Sequence, residues 1–322
     1  MLTKRLIACF DIIGGRVTKA IQFQNNIDVA SAEDLAVAMY EAQIDELIFY
    51  DITASAQKRG IDIETVKKVA RCVFIPFTVG GGIKNLNDMY EVLKAGAEKI
   101  SIDSMAVRNP QIINDGAKAF GSQCIVLSTQ VKKQKQMPSG YEVYIDGARL
   151  ATGMDAMEWI KRGQDLGAGE ICVNSIDNDG TLSGYDLDLM KTAEKKVSVP
   201  LIASGGAGVP AHLKALFTET QTQAAIISSM LYSPRLEKNY STLELKEYLI
   251  QNNINMRPCV MQETYKKLKP KPRSGVDDEL TASLLLRPDE RGPSSPALPP
   301  FMVFWSIGSR AVRFSVKPWN NS

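Results

Sequence analysis

The stretch Thr78-Val79-Gly80-Gly81-Gly82 ends one short apolar run, and Ala203-Ser204-Gly205-Gly206-Ala207 ends another. The first glycines of the two stretches lie 125 residues apart, and the next apolar runs, 99–105 and 224–230, repeat at the same offset. Glycine allows backbone N–H groups to approach a phosphate closely, and the N-terminus of a following helix adds partial positive charge. Two copies of this unit predict two anion sites, and hence a ligand that carries a phosphate at each end.

Short apolar runs alternate with amphipathic stretches of helical period through the first 256 residues. The runs predict eight strands, at 6–10, 46–50, 74–78, 99–102, 124–128, 170–174, 200–203 and 224–228. Helices are predicted between them, for example at 31–43, 87–95, 110–120, 156–167 and 188–196. Strands that alternate with helices pair in parallel, and eight such units in about 250 residues are typical of a (βα)8 TIM barrel. An open doubly wound sheet is the alternative, but it gives no reason for a half-length repeat.

The repeat extends to the other strands of the predicted barrel. Residues 6–11 align with 125–130, and 46–51 align with 170–175. The sequence therefore predicts an α/β fold, a TIM barrel built from two half-barrels of four strands each.

Composition narrows the classes of function. The net charge of +2 gives no global attraction to nucleic acid or to a membrane surface. His212 is the only histidine and lies in a helical stretch, so we expect no zinc site and no Ser-His-Asp mechanism. We also expect no other metal and no cofactor. The five cysteines form no CxxC pair and no apolar run nears 20 residues, which predicts reduced thiols in a cytoplasmic protein. The first predicted strand begins almost at Met1, so we expect no transit peptide.

The alternating pattern stops after Met256. Residues 257–322 hold nine of the fifteen prolines, together with a basic run at 266–273. We predict a barrel domain over 1–256 and a proline-rich, disordered C-terminal extension over 257–322.

Carboxylates follow the first two predicted strands directly. Barrel enzymes place their reacting groups at the C-terminal ends of strands, and Asp11 and Asp51 hold such positions. Each is either a catalytic base or a helix N-cap. A loop is expected after Asp11, which favours catalysis there, whereas both interpretations stay open for Asp51. Arg16 and Lys19 lie in that loop, where they could close over an anionic ligand or remain solvated.

Over residues 1–256 the sequence resembles the cyclase subunit of imidazole glycerol phosphate synthase, from histidine biosynthesis. The resemblance is carried by 4–19, 45–55, 77–84, 121–126, 166–171, 177–181, 184–187 and 202–208. It implies that ammonia from a separate glutaminase subunit, docked at the far end of the barrel as a heterodimer, travels through the barrel core. There it reacts with a formimino carboxamide ribonucleotide that has a phosphate at each end. The implied products are imidazole glycerol phosphate and an aminoimidazole carboxamide ribonucleotide.

The resemblance also implies roles for the matching residues. Asp11 is the general acid/base. The substrate and its two phosphates are held by Lys19, Asp51, Gly82, Asp103, Ser104, Asp179, Gly180, Gly206, Ser228 and Ser229. A charged gate for ammonia at the bottom of the barrel is formed by Arg5, Glu46, Lys99 and Glu170. These last four residues could also form ordinary ion pairs, but alternating charge at the starts of strands favours a gate.

Two of these positions depart from the family pattern. Gln130 stands where the family has its second catalytic aspartate, and an amide cannot accept a proton at neutral pH. Asp103 stands where the family has asparagine, and its charge should weaken phosphate binding unless a cation compensates. Three hypotheses remain: a working cyclase that relies on Asp11, a paralogue that channels ammonia to another acceptor in surface-sugar (amidino sugar) biosynthesis, or a catalytically impaired scaffold that activates the glutaminase.

Overall fold

The computed structural model describes residues 2–21, 24–54, 60–232 and 238–260. Within these ranges twelve strands form one sheet: β1 (Arg5–Ile13), β2 (Arg16–Ile21), β3 (Gln24–Ser31), β4 (Glu46–Asp51), β5 (Phe77–Gly80), β6 (Lys99–Ile102), β7 (Ile125–Lys133), β8 (Tyr141–Ile145), β9 (Leu150–Asp155), β10 (Glu170–Ser175), β11 (Leu201–Ser204) and β12 (Ala224–Ile226). Eight of them pair in parallel in the order β1-β4-β5-β6-β7-β10-β11-β12, and β12 pairs with β1. This closes a barrel, and the predicted fold class is confirmed.

Helices alternate with the barrel strands along the chain. They are α1 (Ala32–Glu41), α2 (Ile63–Cys72), α3 (Leu86–Lys94), α4 (Ser104–Arg108), α5 (Gln111–Phe120), α6 (Ala156–Asp165), α7 (Leu187–Ala193), α8 (Pro210–Glu219), α9 (Ser228–Tyr232) and α10 (Thr242–Gln251). Ser31 caps α1, and Ser241 with Glu244 forms a capping box at α10. His212 lies in α8 as expected, where its Nδ1 accepts from the N–H groups at the start of that helix.

Two antiparallel hairpins, which the sequence analysis did not predict, extend barrel strands. β2 and β3 continue β1, and β8 and β9 continue β7. The expected loop after Asp11 is therefore wrong: β1 continues to Ile13, and both Arg16 and Lys19 lie in β2. Because the repeat aligns β1 with β7, the two hairpins belong to it as well.

The third barrel strand begins later than predicted, at Phe77 instead of residue 74. Pro76 has no N–H and cannot donate to the strand ladder, although its carbonyl accepts from the Leu47 N–H at 3.0 Å. The proline therefore marks the point where the ladder starts.

The apolar residues pack in two clusters. The larger joins strands to helices, and the smaller fills the barrel interior with Ile7, Ile48, Val126, Cys172, Ile202, Ala224 and Ile226. Since side chains alternate along a strand, residues two positions before and after these also face the interior. We call each such series an interior column; the columns of β1, β4, β6, β7 and β10 carry the site.

The described chain ends just beyond the barrel. The Gln43 side chain exchanges hydrogen bonds of 2.9 and 2.8 Å with the backbone of Val260. The predicted disordered extension over 257–322 otherwise lies outside the described residues. Within the described ranges, no helix has both the length and the apolar character needed to cross a membrane.

Candidate functional site

A ring of alternating charge lies at the N-terminal ends of four barrel strands. Arg5 Nη1 is 2.5 Å from Glu46 Oε1, and the same guanidinium also contacts Glu170. Lys99 Nζ is 3.3 Å from Glu46 Oε2 and 2.8 Å from Glu170 Oε2. Each carboxylate therefore contacts both cations, and the structure brings the four predicted gate residues together in one closed ring.

Burial and charge oppose each other in this ring. The glutamate side chains are only 7% and 8% exposed. Burial works against the charge of Glu170, but Lys99 and Arg5 outweigh it and lower the pKa of that carboxyl. Burial also works against the charge of Arg5, but Glu46 and Glu170 prevail and raise the pKa of its guanidinium. Arg5 and Glu170 therefore both remain ionised at neutral pH.

Hydroxyl groups continue along the interior columns above the ring. The Tyr50 hydroxyl is 3.1 Å from Ser101 Oγ and 3.4 Å from Ser128 Oγ. Burial raises the pKa of Tyr50 well above its usual value, so this phenol stays protonated. The three side chains form a neutral hydroxyl cluster between the ring and the opposite end of the barrel.

Asp11 and Gln130 hold equivalent places at that opposite end, the mouth of the barrel. Asp11 pairs with Thr18 of β2, and Gln130 pairs with Tyr144 of β8, so each lies where its strand joins its hairpin. β1 and β7 are four strands apart in the closed ring of eight. The two positions therefore lie on opposite sides of the mouth.

The two positions that depart from the family pattern are hydrogen-bonded to each other. Asp103 follows β6, and Gln130 Nε2 donates to Asp103 Oδ2 at 2.7 Å. Gln130 Oε1 is buried, with no donor among the described residues. Burial raises the pKa of the Asp103 carboxyl to about 7; the Gln130 bond and the charge of Arg108 oppose this rise, and the charge of Asp146 adds to it. A carboxyl group is thus present beside Gln130, although not at position 130 itself.

Asp51 has local partners in the turn that follows β4. Its Oδ1 accepts from the N–H groups of Thr53 and Ala54 at 3.3 and 3.1 Å, and from the Thr53 hydroxyl at 3.2 Å. These contacts are those of a turn closed by an aspartate side chain, and in the described part of the chain no helix begins at Asp51, so the N-cap interpretation is not supported and the catalytic one is not tested. Its predicted contact with substrate stays a prediction.

The two glycine loops pass against neighbouring strand ends in the same way. Gly81 and Gly205 have φ values of +85° and +94°, which favour glycine. A Cβ atom would lie 2.4 Å from the Asp51 carbonyl oxygen in the first case and 2.7 Å from the Ser175 carbonyl oxygen in the second. These contacts make Gly81 the counterpart of Gly205, an offset of 124 residues instead of 125. Gly82 follows in the first loop and is buried.

The structure brings three of the predicted residues of the second phosphate site together. The Asp179 nitrogen lies 3.4 Å from the Cβ position of Gly205, and Gly180 follows in the same loop. The Gly206 carbonyl accepts from the Gly184 N–H at 2.8 Å, which joins the loops after β10 and β11. Phosphate binding by these residues stays a prediction.

The serine hydroxyls predicted to hold phosphate have partners on the backbone. Ser104 Oγ accepts from the Asp146 N–H at 2.9 Å. Ser228 Oγ accepts from the Cys9 N–H at 2.9 Å and donates to the Cys9 carbonyl at 2.7 Å. Ser229 is partly exposed in the same short helix. A direct contact of Ser104 or Ser228 Oγ with phosphate would have to replace or share these bonds.

Two sequence-based predictions remain: substrate binding by Lys19 and the expected absence of a metal site. The backbone of Lys19 pairs with that of Ile27 in the hairpin that continues β1. In the described part of the chain, no group of three or more His, Cys, Asp or Glu side chains is placed to hold a metal ion.

Two features of the site were not predicted from the sequence: the hydroxyl cluster and the bond between Asp103 and Gln130. Period-two alternation could have identified the cluster, because Lys99, Ser101 and Asp103 lie in one column and residues 126, 128 and 130 lie in another. The bond joins residues 27 positions apart, and their side chains meet only because β6 and β7 are neighbours.

The sequence of the chain is similar to those of known proteins. The model of the family described as "Histidine biosynthesis protein" matches residues 5–237, which is more than half of the chain. The chain belongs to this family. The chain is similar to imidazole glycerol phosphate synthase subunit HisF of Desulfosudis oleivorans. The two are 50% identical over 260 residues, which are 80% of this chain and 99% of that protein. The subunits of Desulfatibacillum aliphaticivorans (50% identity, 80% and 98% coverage) and Prochlorococcus marinus (45%, 80% and 99%) are similar as well.

Proposed function

We propose that the chain is the cyclase subunit of imidazole glycerol phosphate synthase. It pairs with a glutaminase subunit and uses the ammonia that this subunit releases. With that ammonia it converts the bis-phosphate formimino carboxamide ribonucleotide to imidazole glycerol phosphate and the aminoimidazole carboxamide ribonucleotide. The observation that carries the proposal is the set of interior columns, which join a closed ring of charge at one end of the barrel to carboxyl groups at the other.

The order of groups along these columns suits the passage of ammonia. A molecule that enters through the ring meets the hydroxyl cluster of Tyr50, Ser101 and Ser128 before it reaches the mouth. Neutral ammonia can both donate to and accept from hydroxyl groups, whereas an ammonium ion would lose its hydration among apolar side chains such as Ile7 and Ile48. The arrangement therefore supports docking of the glutaminase at the ring.

The groups at the mouth of the barrel suit the proposed cyclase reaction. Asp11 lies on one side, near the end of β1 where the hairpin begins, and acts as a general acid/base. The two glycine loops lie at the C-terminal ends of β5 and β11, near the starts of two helices, where backbone N–H groups can hold anions. One substrate phosphate at each loop would stretch the ligand across the mouth, past Asp11.

A cytoplasmic location is part of the proposal. No disulfide joins any of the five cysteines, all of which lie among the described residues. Reduced thiols are usual in the cytoplasm, and the similar proteins are subunits of a biosynthetic enzyme.

The test supplies the full chain with the bis-phosphate ribonucleotide and ammonium at alkaline pH, where free ammonia is present. The proposal predicts that the two products form in equal amounts, and that glutamine replaces ammonium once a glutaminase subunit is added. A folded chain that stimulates glutamine hydrolysis but forms neither product would contradict the proposal and indicate a scaffold.

A further inference from the structure

We propose that Asp103 is the second catalytic carboxyl of this site, and that it transfers the protons which the Gln130 amide cannot. The inference rests on the proposed function, because it assigns a residue to that reaction. It explains the two departures from the family pattern as one relocation of a carboxyl group between neighbouring strands.

The interior columns place the Asp103 carboxyl at the mouth. Lys99 lies in the ring and Ser101 in the hydroxyl cluster, so Asp103 continues the same column. The Gln130 amide, next in its column after Ser128, reaches Asp103 Oδ2 at 2.7 Å. Both columns therefore end at the same place in the mouth, and part of the surface of Asp103 is exposed there.

The Gln130 amide oxygen lacks a hydrogen-bond donor, and a nitrogen ligand could supply one. Its Nε2 is engaged by Asp103, but its Oε1 is buried and has no donor within the described ranges. An unsatisfied buried acceptor is costly unless a donor arrives. The N–H groups of ammonia, or of the amine formed when ammonia adds to the substrate, provide such a donor. Gln130 then acts as a positioning residue, while Asp103 meets the reacting nitrogen.

Position and charge suit Asp103 to proton transfer opposite Asp11. β6 is three strands from β1 in the closed ring of eight, so the two carboxyls flank the mouth from different sides. The Cys172 thiol lies near Asp103, and the groups that act on the Asp103 carboxyl are the Gln130 amide, Arg108 and Asp146. With burial as the largest cause, they leave the pKa of Asp103 at about 7, where a group can both give and take a proton at neutral pH.

The proton balance closes within one turnover. As the ammonia nitrogen forms its bond to carbon, the Asp103 carboxylate accepts a proton from that nitrogen. When the bond between carbon and the aminoimidazole nitrogen breaks, the electron pair stays on the departing nitrogen, and Asp103 returns its proton there. The carboxylate is regenerated. The incoming nitrogen also closes the imidazole ring on the ketone carbon of the substrate, whose oxygen leaves as water, so the conversion balances without an oxidant, a reductant or another co-reactant.

The experiment compares kcat for ammonium-dependent turnover in the full chain and three variants, Asp103→Asn, Gln130→Asp and the double variant that exchanges acid and amide. We expect Asp103→Asn to lose about 100-fold or more in kcat, and the double variant to regain at least about tenfold of that loss. In Gln130→Asp two adjacent carboxyls should couple, which changes the pH profile of kcat. The exposed Asp165→Asn, a matched loss of charge, should stay within about twofold of the parent protein.

The outcomes separate the two proposals. If the parent protein itself forms no product, the proposed function fails. If the parent protein is active and a folded Asp103→Asn stays within about threefold of it, or the double variant regains nothing, the role of Asp103 is overturned and the proposed function stands. The pH profile of the parent protein decides independently of variant folding: an apparent pKa of kcat near 7 supports the inference, and a profile without one between about pH 5.5 and 8.5 overturns it.

Discussion

The two halves of the barrel share a backbone plan but carry different chemistry. At the N-terminal end, each half supplies one glutamate of the ring, at equivalent positions. Only the first half supplies cations, because the positions equivalent to Arg5 and Lys99 are Cys124 and Ala224. The ring is therefore closed by side chains of both halves, although its positive charge comes from one.

The same asymmetry appears at the mouth. Asp11 of the first half corresponds to Gln130 of the second, and Asp103 corresponds to Ser228, whose hydroxyl binds the backbone of β1. The first half thus supplies both carboxyls at these positions, while the second half contributes an amide that holds one of them. A repeated backbone fixes where functional groups can stand, and individual substitutions decide which half carries them.

The largest expected effect comes from Asp11. In Asp11→Asn we predict a loss in kcat of about 10²–10⁴-fold, because an amide cannot accept a proton. Ammonium-dependent turnover measures the loss, and circular dichroism checks the fold. The double variant Asp11→Asn with Gln130→Asp should remain inactive. Recovery in that variant would mean that the two halves are interchangeable, against the asymmetry described above.

The next effect is a dependence of stability on pH that Asp103 creates. The folded chain holds the Asp103 proton up to about pH 7, whereas the unfolded chain releases it near 3.8. The folded state binds more protons between these values, so its stability falls as the pH rises through that window. Relative to Asp103→Asn, the parent protein should lose about 4 kcal/mol between about pH 4 and pH 8. Denaturant unfolding at both pH values measures this, and parallel curves would contradict it.

Removal of one cation from the charged ring should have a somewhat smaller effect on stability. Lys99→Met leaves Glu46 and Glu170 with Arg5 as their only cation in the ring, which we expect to cost about 3 kcal/mol of unfolding free energy. Glutamine-dependent turnover should fall more than ammonium-dependent turnover, because ammonia then leaks at the entrance. The control Lys161→Met removes an exposed pair with Asp165 and should change stability by about 0.5 kcal/mol or less. Equal effects of the two variants would show that the ring is an ordinary surface network.

The smallest predicted effect tests the equivalence of the glycine loops. Gly81→Ala and Gly205→Ala should each destabilise the fold by about 2 kcal/mol, because each adds a Cβ against a carbonyl oxygen at positive φ. Gly140→Ala is the control, since Gly140 has a φ of +82° but no heavy atom beyond its chain neighbours within 4 Å of its Cβ position. Thermal unfolding measures all three. A large effect at only one of the two loops would mean that they are not structural counterparts.

Much of this architecture follows from local sequence, and the rest depends on contacts between distant segments. Apolar runs predict the eight barrel strands, and matching residues predict the ring. The first hairpin was missed because it contains polar residues such as Asn25 and Asn26, which do not suggest a strand. The bond between Asp103 and Gln130 needs the packing of β6 beside β7, and each departure by itself suggests only a loss of function.

The most direct test of the central claim is the titration of the Asp103 carboxyl carbon by ¹³C NMR, with Asp103→Asn identifying its signal. The account predicts a titration midpoint near pH 7, because a buried carboxyl bonded to the Gln130 amide replaces the one absent at position 130. A midpoint near 4, the value of an ordinary exposed aspartate, would contradict it. Asp103 would then be a fully ionised side chain at neutral pH, and the second acid/base group of the mouth would have to lie elsewhere.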